Sequence, residues 1–534
     1  MTAPDPDASR RTLLLYAALL APYAFLVDRF WYVCDDAFIS FRYASNWAAG
    51  EGLRYNLWDA APVEGYSNFL WTAVSAALLK LGAAPEVFTP LLSALCGALL
   101  LWRVLRALRV ELGLPVAAAA AAGASLALSP SFAVWSTSGL ETMPHALLVF
   151  LAFEQLFLRD GTRAAWLGST ALLGVALIRV EGFALAGAMA TMAAATRWGR
   201  PAALRALAPG LTVASAAFAA YFAIRWSYYG EPLSNTVTAK VGFSTDVAAR
   251  GLKYAATALL VLLAPALGVL GLLPAWRTLG WRVGGPLVAL VGALFVWPVL
   301  AGGDFMPFSR LYVAALPLVA LLLGLAARRP ALAGLTLLLA AGGAASAWDV
   351  YPVPASVRNE VGFRDQFGKI TEWKMWWHEQ DQVGPLSRLG QALAANSLPG
   401  ESVVMGAMGA EGYYSGLNVY DRYGLVTPDV ARMEAADLRL PGHDKRVEHW
   451  HFVDDRPTYL FANLMVDPRA SRAFAQDLQR RGLAEIYAPE LVPVGVLVEG
   501  GVPLWLLRFR LISGEAGVAW ERYRGVVRGY EAGL

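Results

Sequence analysis

Two adjacent carboxylates stand near the start of the chain, in the segment CDDAFISFR (residues 34–42). Adjacent carboxylates repel one another, so one of them should have a raised pKa unless a cation or a metal ion lies near. A carboxylate at a dry interface is a competent general base for a hydroxyl group. The alternative is structural, because Asp35 or Asp36 would also cap the short amphipathic helix that we predict from Asp36 to Trp47.

The elements that must position these carboxylates have the composition of a membrane protein. Of the 534 residues, 57% are hydrophobic and 16% are charged, against about 25% charged in soluble proteins. Residues 351–534 carry 43 of the 85 charged residues. We therefore predict a membrane domain at 1–350 and a second domain of globular composition at 351–534. A net charge of +3 gives no indication of nucleic-acid binding.

Apolar runs of about 20 residues predict membrane-spanning helices. We predict eleven, at 12–31, 87–102, 115–134, 143–158, 164–178, 182–196, 207–225, 254–273, 285–301, 311–327 and 331–347. Arg10 and Arg11 precede the first of them, and basic residues in short loops favour the cytoplasmic side. The other arginine clusters also face the cytoplasm if the apolar stretch 68–82 lies in the interface instead of crossing. The C-terminal domain is then extracytoplasmic, and the first outer loop spans about 32–86.

The first outer loop continues with GEGLRYN (50–56) and PVEGYSNFLW (62–71), in which aromatic rings alternate with Asn, Glu and Arg. This mixture suits carbohydrate, since sugar faces stack on rings and hydroxyl groups bond to amides and carboxylates. Aromatic belts at membrane interfaces have a similar composition, so the pattern alone decides nothing. Most acidic residues before 351 also fall on the predicted outer side, and ionisable groups at membrane depth usually mark a functional site.

Several motifs, in order along the chain, resemble polytopic glycosyltransferases of the GT-C class, most closely the AftB group of mycobacterial terminal arabinofuranosyltransferases and its bacterial relatives. The motifs are DDAFISFRYA, GLRYN, VEGYSNFLWT, STSGLET, PLSNTVTAKVG, GGDFMPFSRLYVAALP, YDRYGLVTPDVAR and GHDK. The resemblance implies a GT-C fold of about eleven transmembrane helices, with interfacial helices in the first outer loop, and a C-terminal periplasmic α/β domain. It also implies a multi-pass protein of a bacterial inner membrane.

The resemblance implies a reaction as well. A sugar, which the nearest likeness makes arabinofuranose, would pass with inversion from a polyprenyl-phosphate donor such as decaprenyl-phosphoryl-arabinose to an envelope glycan. No cofactor is expected, and no divalent cation is indicated. In this class an acid of the first outer loop deprotonates the acceptor, so we expect Asp35 to be the base and Asp36 to orient it or bind a sugar hydroxyl. Where this chain has a second Asp the class often has Glu, which leaves the division of labour open.

Other site residues follow from the chemistry of that reaction. The leaving lipid phosphate needs cations where its charge develops, and the candidates are Arg42, Arg179, Lys240 and Arg310. Arg179 would otherwise pair with Glu181, and Arg310 with Asp304. Candidates for binding sugar or acceptor are Glu64, Tyr66, Asn68, Glu141, Asn235, Asp304, His443 and Lys445. The alternative for Glu141 is a helix N-terminal charge, and for His443 and Lys445 an ordered loop.

Residues 351–534 read as an α/β domain, with helices at 385–396, 469–482 and 516–531 and strands at 402–407, 458–465 and 503–512. GAMGAEG (406–412) lacks the spacing of a dinucleotide fingerprint and predicts a loop. His449 and His451 would share one face of a strand, but a metal ion needs a third ligand, and we predict none. The three tryptophans of 373–377 predict an interfacial anchor, with a sugar platform as the alternative.

Three other functions remain open. The first is a GT-C transferase for a different sugar or for lipopolysaccharide, another glycan or protein, because fold does not fix specificity. The second is a secondary transporter, although the sequence has no internal repeat of the kind that many transporters show. The third is a scaffold whose outer domain binds glycan without chemistry.

Overall fold

The computed structural model describes residues 6–240, 242–361, 370–436, 438, 441–496, 503–514 and 516–532. The helices are α1 Pro6–Arg29, α2 Asp35–Ala49, α3 Phe69–Lys80, α4 Pro85–Arg106, α5 Val116–Ala127, α6 Pro130–Val134, α7 Thr142–Phe153, α8 Thr162–Ile178, α9 Gly182–Ala195, α10 Pro201–Tyr229, α11 Asn235–Ala239, α12 Thr245–Leu262, α13 Leu272–Leu300, α14 Leu316–Ala326, α15 Pro330–Ala344, α16 Ala355–Glu360, α17 Glu372–Asn396, α18 Ala410–Ser415, α19 Pro428–Ala431, α20 Ser471–Arg480 and α21 Ala516–Ala532. The strands are β1 Ser402–Met405, β2 Asn418–Asp421, β3 Tyr459–Met465, β4 Tyr487–Val496 and β5 Pro503–Leu511.

The N-terminal two thirds of the chain is a bundle of apolar helices. Within the described ranges, five helical stretches are long and apolar enough to cross a membrane: Ser9–Arg29, Pro85–Glu111, Pro201–Tyr229, Ala264–Leu300 and Pro330–Trp348. Shorter apolar helices pack among them, and all eleven residues of α14 are buried. The protein is therefore a multi-pass membrane protein. We call the membrane face on which the C-terminal domain packs the domain side.

Helix α3 occupies the apolar stretch that we expected to lie in the interface. Its 12 residues extend about 18 Å along the helix axis. The indole N–H of Trp71 donates to the carbonyl of Gly139 (2.8 Å), which joins α3 to the turn before α7. This contact fits a helix that supports α2 on the domain side.

The predicted span 254–273 is wrong in its bounds, because the chain breaks at Leu263, where φ is 55°. Helix α12 ends just before the break. A methyl group added to Gly251 would collide with the backbone of Val299, and one added to Gly343 would meet that of Leu262. Val299 and Gly343 are the next-to-last residues of α13 and α15. Helix α12 therefore runs along the domain side, and the apolar span starts after it.

The stretch Ala264–Leu300 forms two arms that meet at Gly280 (φ 64°, ψ 179°). A methyl group on Gly284 would lie 2.4 Å from the carbonyl oxygen of Ala275, so the arms pack closely. The first arm has eight 3₁₀ residues, 264–271, followed by about two turns of α-helix. At rises of about 2.0 and 1.5 Å per residue it extends about 28 Å, which is enough for one crossing.

The C-terminal domain is built on a five-stranded mixed sheet in the order β2-β1-β3-β5-β4. Strand β1 is parallel to both β2 and β3, whereas β3, β5 and β4 are antiparallel neighbours. Helices α20 and α21 cover one face of the sheet, where Leu478, Trp520 and Phe509 share a buried cluster. The predicted α/β class is correct, but β2 and β4 were not predicted, and α17 begins thirteen residues before its predicted start.

Candidate active site

The two adjacent carboxylates begin helix α2 and diverge from one another. Asp35 and Asp36 are its first two residues, and the amide of Cys34 donates to the carbonyl of Ser138 (3.0 Å), which fixes where the helix starts. Successive side chains of an α-helix are about 100° apart around its axis. The two acids therefore meet different surroundings.

Asp35 joins the first outer loop to the C-terminal domain. Its carboxylate oxygens accept the backbone N–H groups of Ala410 (2.7 Å) and Gly409 (3.3 Å), at the start of α18. Burial raises the pKa of Asp35 to about 6, although these two N–H groups favour the ionised form. Both oxygens are engaged, and the residue is 8% exposed, so Asp35 is poorly placed to take a proton from a substrate.

Asp36 lies where the membrane domain meets the C-terminal domain, with Arg310, Lys240 and His443 as its basic neighbours. We call the space around it the cleft. The Asp36 side chain is 38% exposed, and its Oδ2 lies 4.0 Å from Nη1 of Arg310. Desolvation by the surrounding protein raises the pKa of Asp36. Three basic groups oppose that rise, namely Arg310, His443 and Lys240. An accessible carboxylate with a raised pKa beside cations has the properties of a general base.

Arg310 is held in place by a tightly anchored segment. Its Nε donates to Oδ2 of Asp304 (2.6 Å), and its guanidinium lies 5.4 Å from the ring centre of Trp135. Phe308 and Ser309, just before it, have left-handed φ values of 50° and 54°, which non-glycine residues adopt only under constraint. The amide of Phe308 donates to the Glu372 carboxylate, which supplies such a constraint from α17.

Arg179 lies at the centre of a second charged group. It donates to Glu141 (2.6 Å) and to Glu181 (2.5 Å). Asn68 donates its amide N–H to the other oxygen of Glu141 (2.8 Å), and the hydroxyl of Ser40 donates to the Asn68 carbonyl (3.0 Å). A continuous chain of hydrogen bonds therefore runs from α2 through Asn68 and Glu141 to Arg179. The alternative pairings of Arg179 with Glu181 and of Arg310 with Asp304 are both present.

Lys240 lies between these two charged groups. It follows α11 and is solvent-exposed within the cleft. Its ammonium group interacts with Glu181 and Arg179 on one hand and with Arg310 and Asp304 on the other. The enclosing protein lowers the pKa of Lys240. Since Arg179 and Arg310 are both paired with acids, Lys240 adds a cation to the space between them.

His443 reaches the cleft from the C-terminal domain. Its ring makes edge contacts with Phe305 and with Tyr423, each at 4.7 Å between ring centres. Burial lowers the pKa of His443, while the nearby Asp36 raises it. The candidates Asp36, Glu141, Arg179, Lys240, Asp304, Arg310 and His443 thus interact around one cleft.

Arg42, a candidate for the donor phosphate, lies elsewhere. It is 4% exposed, and its guanidinium stacks 4.2 Å from the ring centre of Tyr55. It donates to the carbonyl groups of Tyr55, Gly412 and Leu417. These contacts occupy the guanidinium in joining α2 to the C-terminal domain, and they argue against a role in binding phosphate.

Four more candidates take part in similar joints. Glu64 is buried and holds Arg225 of α10 through both carboxylate oxygens. Tyr66 packs against the Tyr43 ring at 4.8 Å. The Asn235 amide and the Lys445 ammonium both donate to backbone carbonyl groups, at Gly424 and Leu425 for Asn235 and at Thr238 and Ala431 for Lys445. All four side chains therefore contact other parts of the protein and hold together the segments that surround the cleft.

Two weaker motifs differ from the expectation. Residues His449–Phe452 form a 3₁₀ turn, so the two histidines do not share a strand face. Among the described residues, no group of three His, Cys, Asp or Glu side chains has the arrangement of a metal site. Trp376 is buried against Phe30 (5.0 Å between ring centres), whereas Trp377 is 48% exposed. Trp376 is therefore a core residue and does not act as an interfacial anchor.

Glu379, an acid near the cleft, was not predicted from the sequence. Glu379 of α17 is 2% exposed and interacts with Asp35, Asp36, Arg310 and Asp304. The sequence does carry a signal for it, because Glu372 and Glu379 are seven residues apart, or about two helical turns, and the apolar Met375 and Trp376 lie between them on the same face.

Comparisons with known proteins give one match to a family model and matches to solved structures. Residues 372–498 match a family model described as a domain of unknown function (DUF8728). No curated protein sequence matches. Among solved structures, ArnT from Cupriavidus metallidurans bound to undecaprenyl phosphate aligns with a TM-score of 0.54 at 15% identity, over 93% of this chain and 97% of ArnT. The apo form of the same protein aligns with a TM-score of 0.57 at 16% identity, over 94% and 98%.

The alignment extends over nearly the whole length of both chains, so it includes the membrane domain and the C-terminal domain together. The identity is too low to carry more than the fold. The predicted fold class is confirmed: the chain has an ArnT-like GT-C fold, with a polytopic helical membrane domain followed by a C-terminal sheet domain.

Proposed function

We propose that this protein is a membrane glycosyltransferase that moves a sugar from a polyprenyl-phosphate donor to an acceptor hydroxyl, with Asp36 as general base. The observation that carries the proposal is the accessible Asp36 carboxylate, 4.0 Å from Arg310, in a fold shared with a protein that binds undecaprenyl phosphate. A base beside a cation site is the combination that this reaction requires.

The reaction divides between the two kinds of group. The acceptor oxygen attacks the anomeric carbon and gives its proton to Asp36. The bond between that carbon and the phosphate oxygen breaks, and the electron pair leaves with the lipid phosphate, which becomes a dianionic monoester. Arg310, Lys240 and Arg179 stabilise the charge that develops there. Attack opposite the leaving group inverts the anomeric centre.

The roles of the two acids are then the reverse of those expected from the sequence. Asp36 serves as the base because its side chain is accessible and lies beside Arg310. Asp35 serves as a positioning residue, since its carboxylate is engaged by the amides of Ala410 and Gly409. In the same way Glu141 is a positioning residue, because its two oxygens are taken by Arg179 and by the Asn68 amide.

The identity of the sugar and the side of the membrane belong to the proposal. The motif resemblance supports arabinofuranose from decaprenyl-phosphoryl-arabinose, with an envelope glycan as acceptor. The distribution of arginines supports an extracytoplasmic site in a bacterial inner membrane, with a cytoplasmic N-terminus. The shared fold supports the proposal of a lipid-phosphate donor more directly than it supports the proposal of arabinofuranose as the sugar.

The test is transfer by the purified full-length protein in lipid nanodiscs. Decaprenyl-phosphoryl-arabinose is compared with other polyprenyl-phosphate sugars, each radiolabelled in the sugar. We expect Asp36→Asn to lower turnover by about 10²–10⁴-fold while binding of undecaprenyl phosphate persists. The matched control, Asp35→Asn, should retain most of its turnover and lower the melting temperature, because it weakens the contact with α18.

The outcomes separate the competing functions. Loss of transfer in Asp35→Asn with full activity in Asp36→Asn would restore the original assignment of the base. Transfer of a sugar other than arabinose would keep the mechanism and change the substrate. Uptake of a solute without sugar transfer would indicate a transporter, and glycan binding without turnover in the wild type would indicate a scaffold.

A further inference from the structure

Helix α17 presents two buried acids toward the membrane domain. Glu372 and Glu379 are 3% and 2% exposed, and Met375 and Trp376 between them are also buried. The Trp376 ring packs at 5.0 Å against Phe30, at the end of the first span. The face is therefore fixed against the start of the first outer loop, and both acids must find partners inside the protein.

The two acids have different surroundings. Glu372 accepts the amide N–H of Phe308 and so holds the segment that carries Arg310. Glu379 accepts a hydrogen bond from the Gln382 amide (3.1 Å), on its own helix. Gln382 is neutral, so this bond leaves the charge of an ionised Glu379 unbalanced.

The titratable groups that interact electrostatically with Glu379 from other elements are mostly acids or neutral groups. They are Tyr32 and Cys34 before α2, Asp35 and Asp36 at the start of α2, and Asp304 and Arg310 beyond α13. Among them Arg310 is the cation, and it is already paired with Asp304 (2.6 Å) and lies 4.0 Å from Asp36. Burial, and then Asp36 and Asp35, raise the pKa of Glu379 to about 8.

We propose that Glu379 is a positioning residue that stays an uncharged carboxylic acid. It then adds no negative charge near Arg310, which remains available to Asp36 and to the donor phosphate. This inference rests on the proposed function. The acceptor proton still passes to Asp36, and the electron pair still leaves with the phosphate. Deprotonation of Glu379 adds a negative charge beside Arg310, which competes with the incoming phosphate and weakens donor binding.

The variant Glu379→Gln tests the inference because Gln is a neutral isostere of the protonated acid. With undecaprenyl phosphate as the probe, the wild type and Glu379→Gln should bind equally at pH 7. Above pH 8 the wild-type Kd should rise by up to about tenfold for each pH unit. The Kd of Glu379→Gln should rise less steeply, because only the loss of charge on Lys240, whose pKa burial lowers, acts on it. The donor KM should follow the same pattern and kcat should change little.

Glu372→Gln is the matched control, on the same helix face. It removes a carboxylate that anchors the Phe308 amide, so it should lower the melting temperature and leave the alkaline rise of the wild-type Kd in place. If the Kd of Glu379→Gln rises as steeply as that of the wild type above pH 8, or if the variant weakens binding equally at every pH, the inference is overturned.

A second measurement does not depend on turnover. The pKa of Glu379 is about 4.5 in an unfolded chain, and burial in the folded protein raises this pKa to about 8. The wild type should therefore lose melting temperature relative to Glu379→Gln as the pH rises from 5 to 8, with no further change above 8. A constant difference from pH 5 to 9 would show that Glu379 is already ionised and would overturn the inference. Lack of transfer from any donor, with this trend present, would reject only the proposed function.

Discussion

The charge on Asp36 is set by neighbours that compete for one guanidinium. Asp304 raises the pKa of Asp36 as a like charge, and it also holds Arg310 at 2.6 Å. In Asp304→Asn both effects disappear, so the pKa of Asp36 should fall. Because the base works only when ionised, the acid limb of the kcat/KM profile should move to lower pH, by about one unit. The measurement is sugar transfer between pH 4 and 9.

Asp59→Asn is the control for this shift. Asp59 belongs to the same outer loop, and its charge interacts with Arg54 and Arg42 instead of Arg310. Its profile should coincide with that of the wild type. If the fall of kcat/KM at low pH occurs at the same pH in Asp304→Asn as in the wild type, that fall reflects the protonation of a group other than Asp36. This result would contradict the assignment of Asp36 as the base.

At the scale of residues, the sequence identified the groups of the cleft but not how they divide the work. Asp36, Lys240 and Arg310 could be found because acid and basic side chains near helix ends in a membrane protein are costly and therefore informative. Which of Asp35 and Asp36 is engaged depends on the amides of Gly409 and Ala410. Those amides are more than 370 positions away in the chain, and no local pattern reports their approach.

At the scale of elements, hydropathy located the apolar segments better than their geometry. The run 254–273 is continuous in composition, yet the chain turns at Leu263 and leaves α12 on the domain side. Charge marks α12 as an element of its own, because Asp246, Arg250 and Lys253 all lie in its first half, before the apolar run begins. Arg250 also donates to Asp444 (2.5 Å) of the C-terminal domain, a contact that a membrane-spanning helix would not make there.

The junction between α2 and α18 can be tested by a single methyl group. A Cβ at Gly409 would lie 2.1 Å from the carbonyl oxygen of Asp35 and 2.6 Å from its carboxylate. Backbone atoms cannot withdraw easily, so Gly409→Ala should separate α18 from α2, lower the melting temperature and reduce transfer. The measurements are thermal unfolding and limited proteolysis of the purified protein, in which the C-terminal domain should become easier to cleave.

Gly525→Ala is the matched control, within helix α21 of the C-terminal domain. A Cβ there has no heavy atom within 4 Å, and alanine is favoured over glycine within a helix by about 1 kcal/mol. It should therefore leave the melting temperature unchanged or raise it slightly. Equal behaviour of the two variants would show that the contact between α18 and α2 contributes little to stability.

At the scale of the whole molecule, the unequal distribution of charge predicted the division at about residue 350, since apolar spans exclude charged side chains. It did not predict how closely the two parts are joined. The joint consists of polar contacts from Asp35, Arg42, Asn235 and Arg250 to the C-terminal domain, and of one from Lys445 of that domain to the Thr238 carbonyl. Most of them end on backbone carbonyl or amide groups, which every residue carries, so the sequence does not reveal the partners.

The orientation of the chain in the membrane is the last prediction. Gln479 lies on the C-terminal domain and Arg329 in the short turn between α14 and α15, and both are exposed. Arginines in short loops stay on the cytoplasmic side, so a membrane-impermeant maleimide should label Gln479→Cys in intact spheroplasts and Arg329→Cys only after lysis. The wild type, whose Cys34 is buried and Cys96 half-buried, gives the background. Both variants should react in detergent, which shows that each thiol is accessible. Labelling of Arg329→Cys in intact spheroplasts would invert the topology and place the Asp36 cleft in the cytoplasm, where the extracytoplasmic part of the proposed function could not hold.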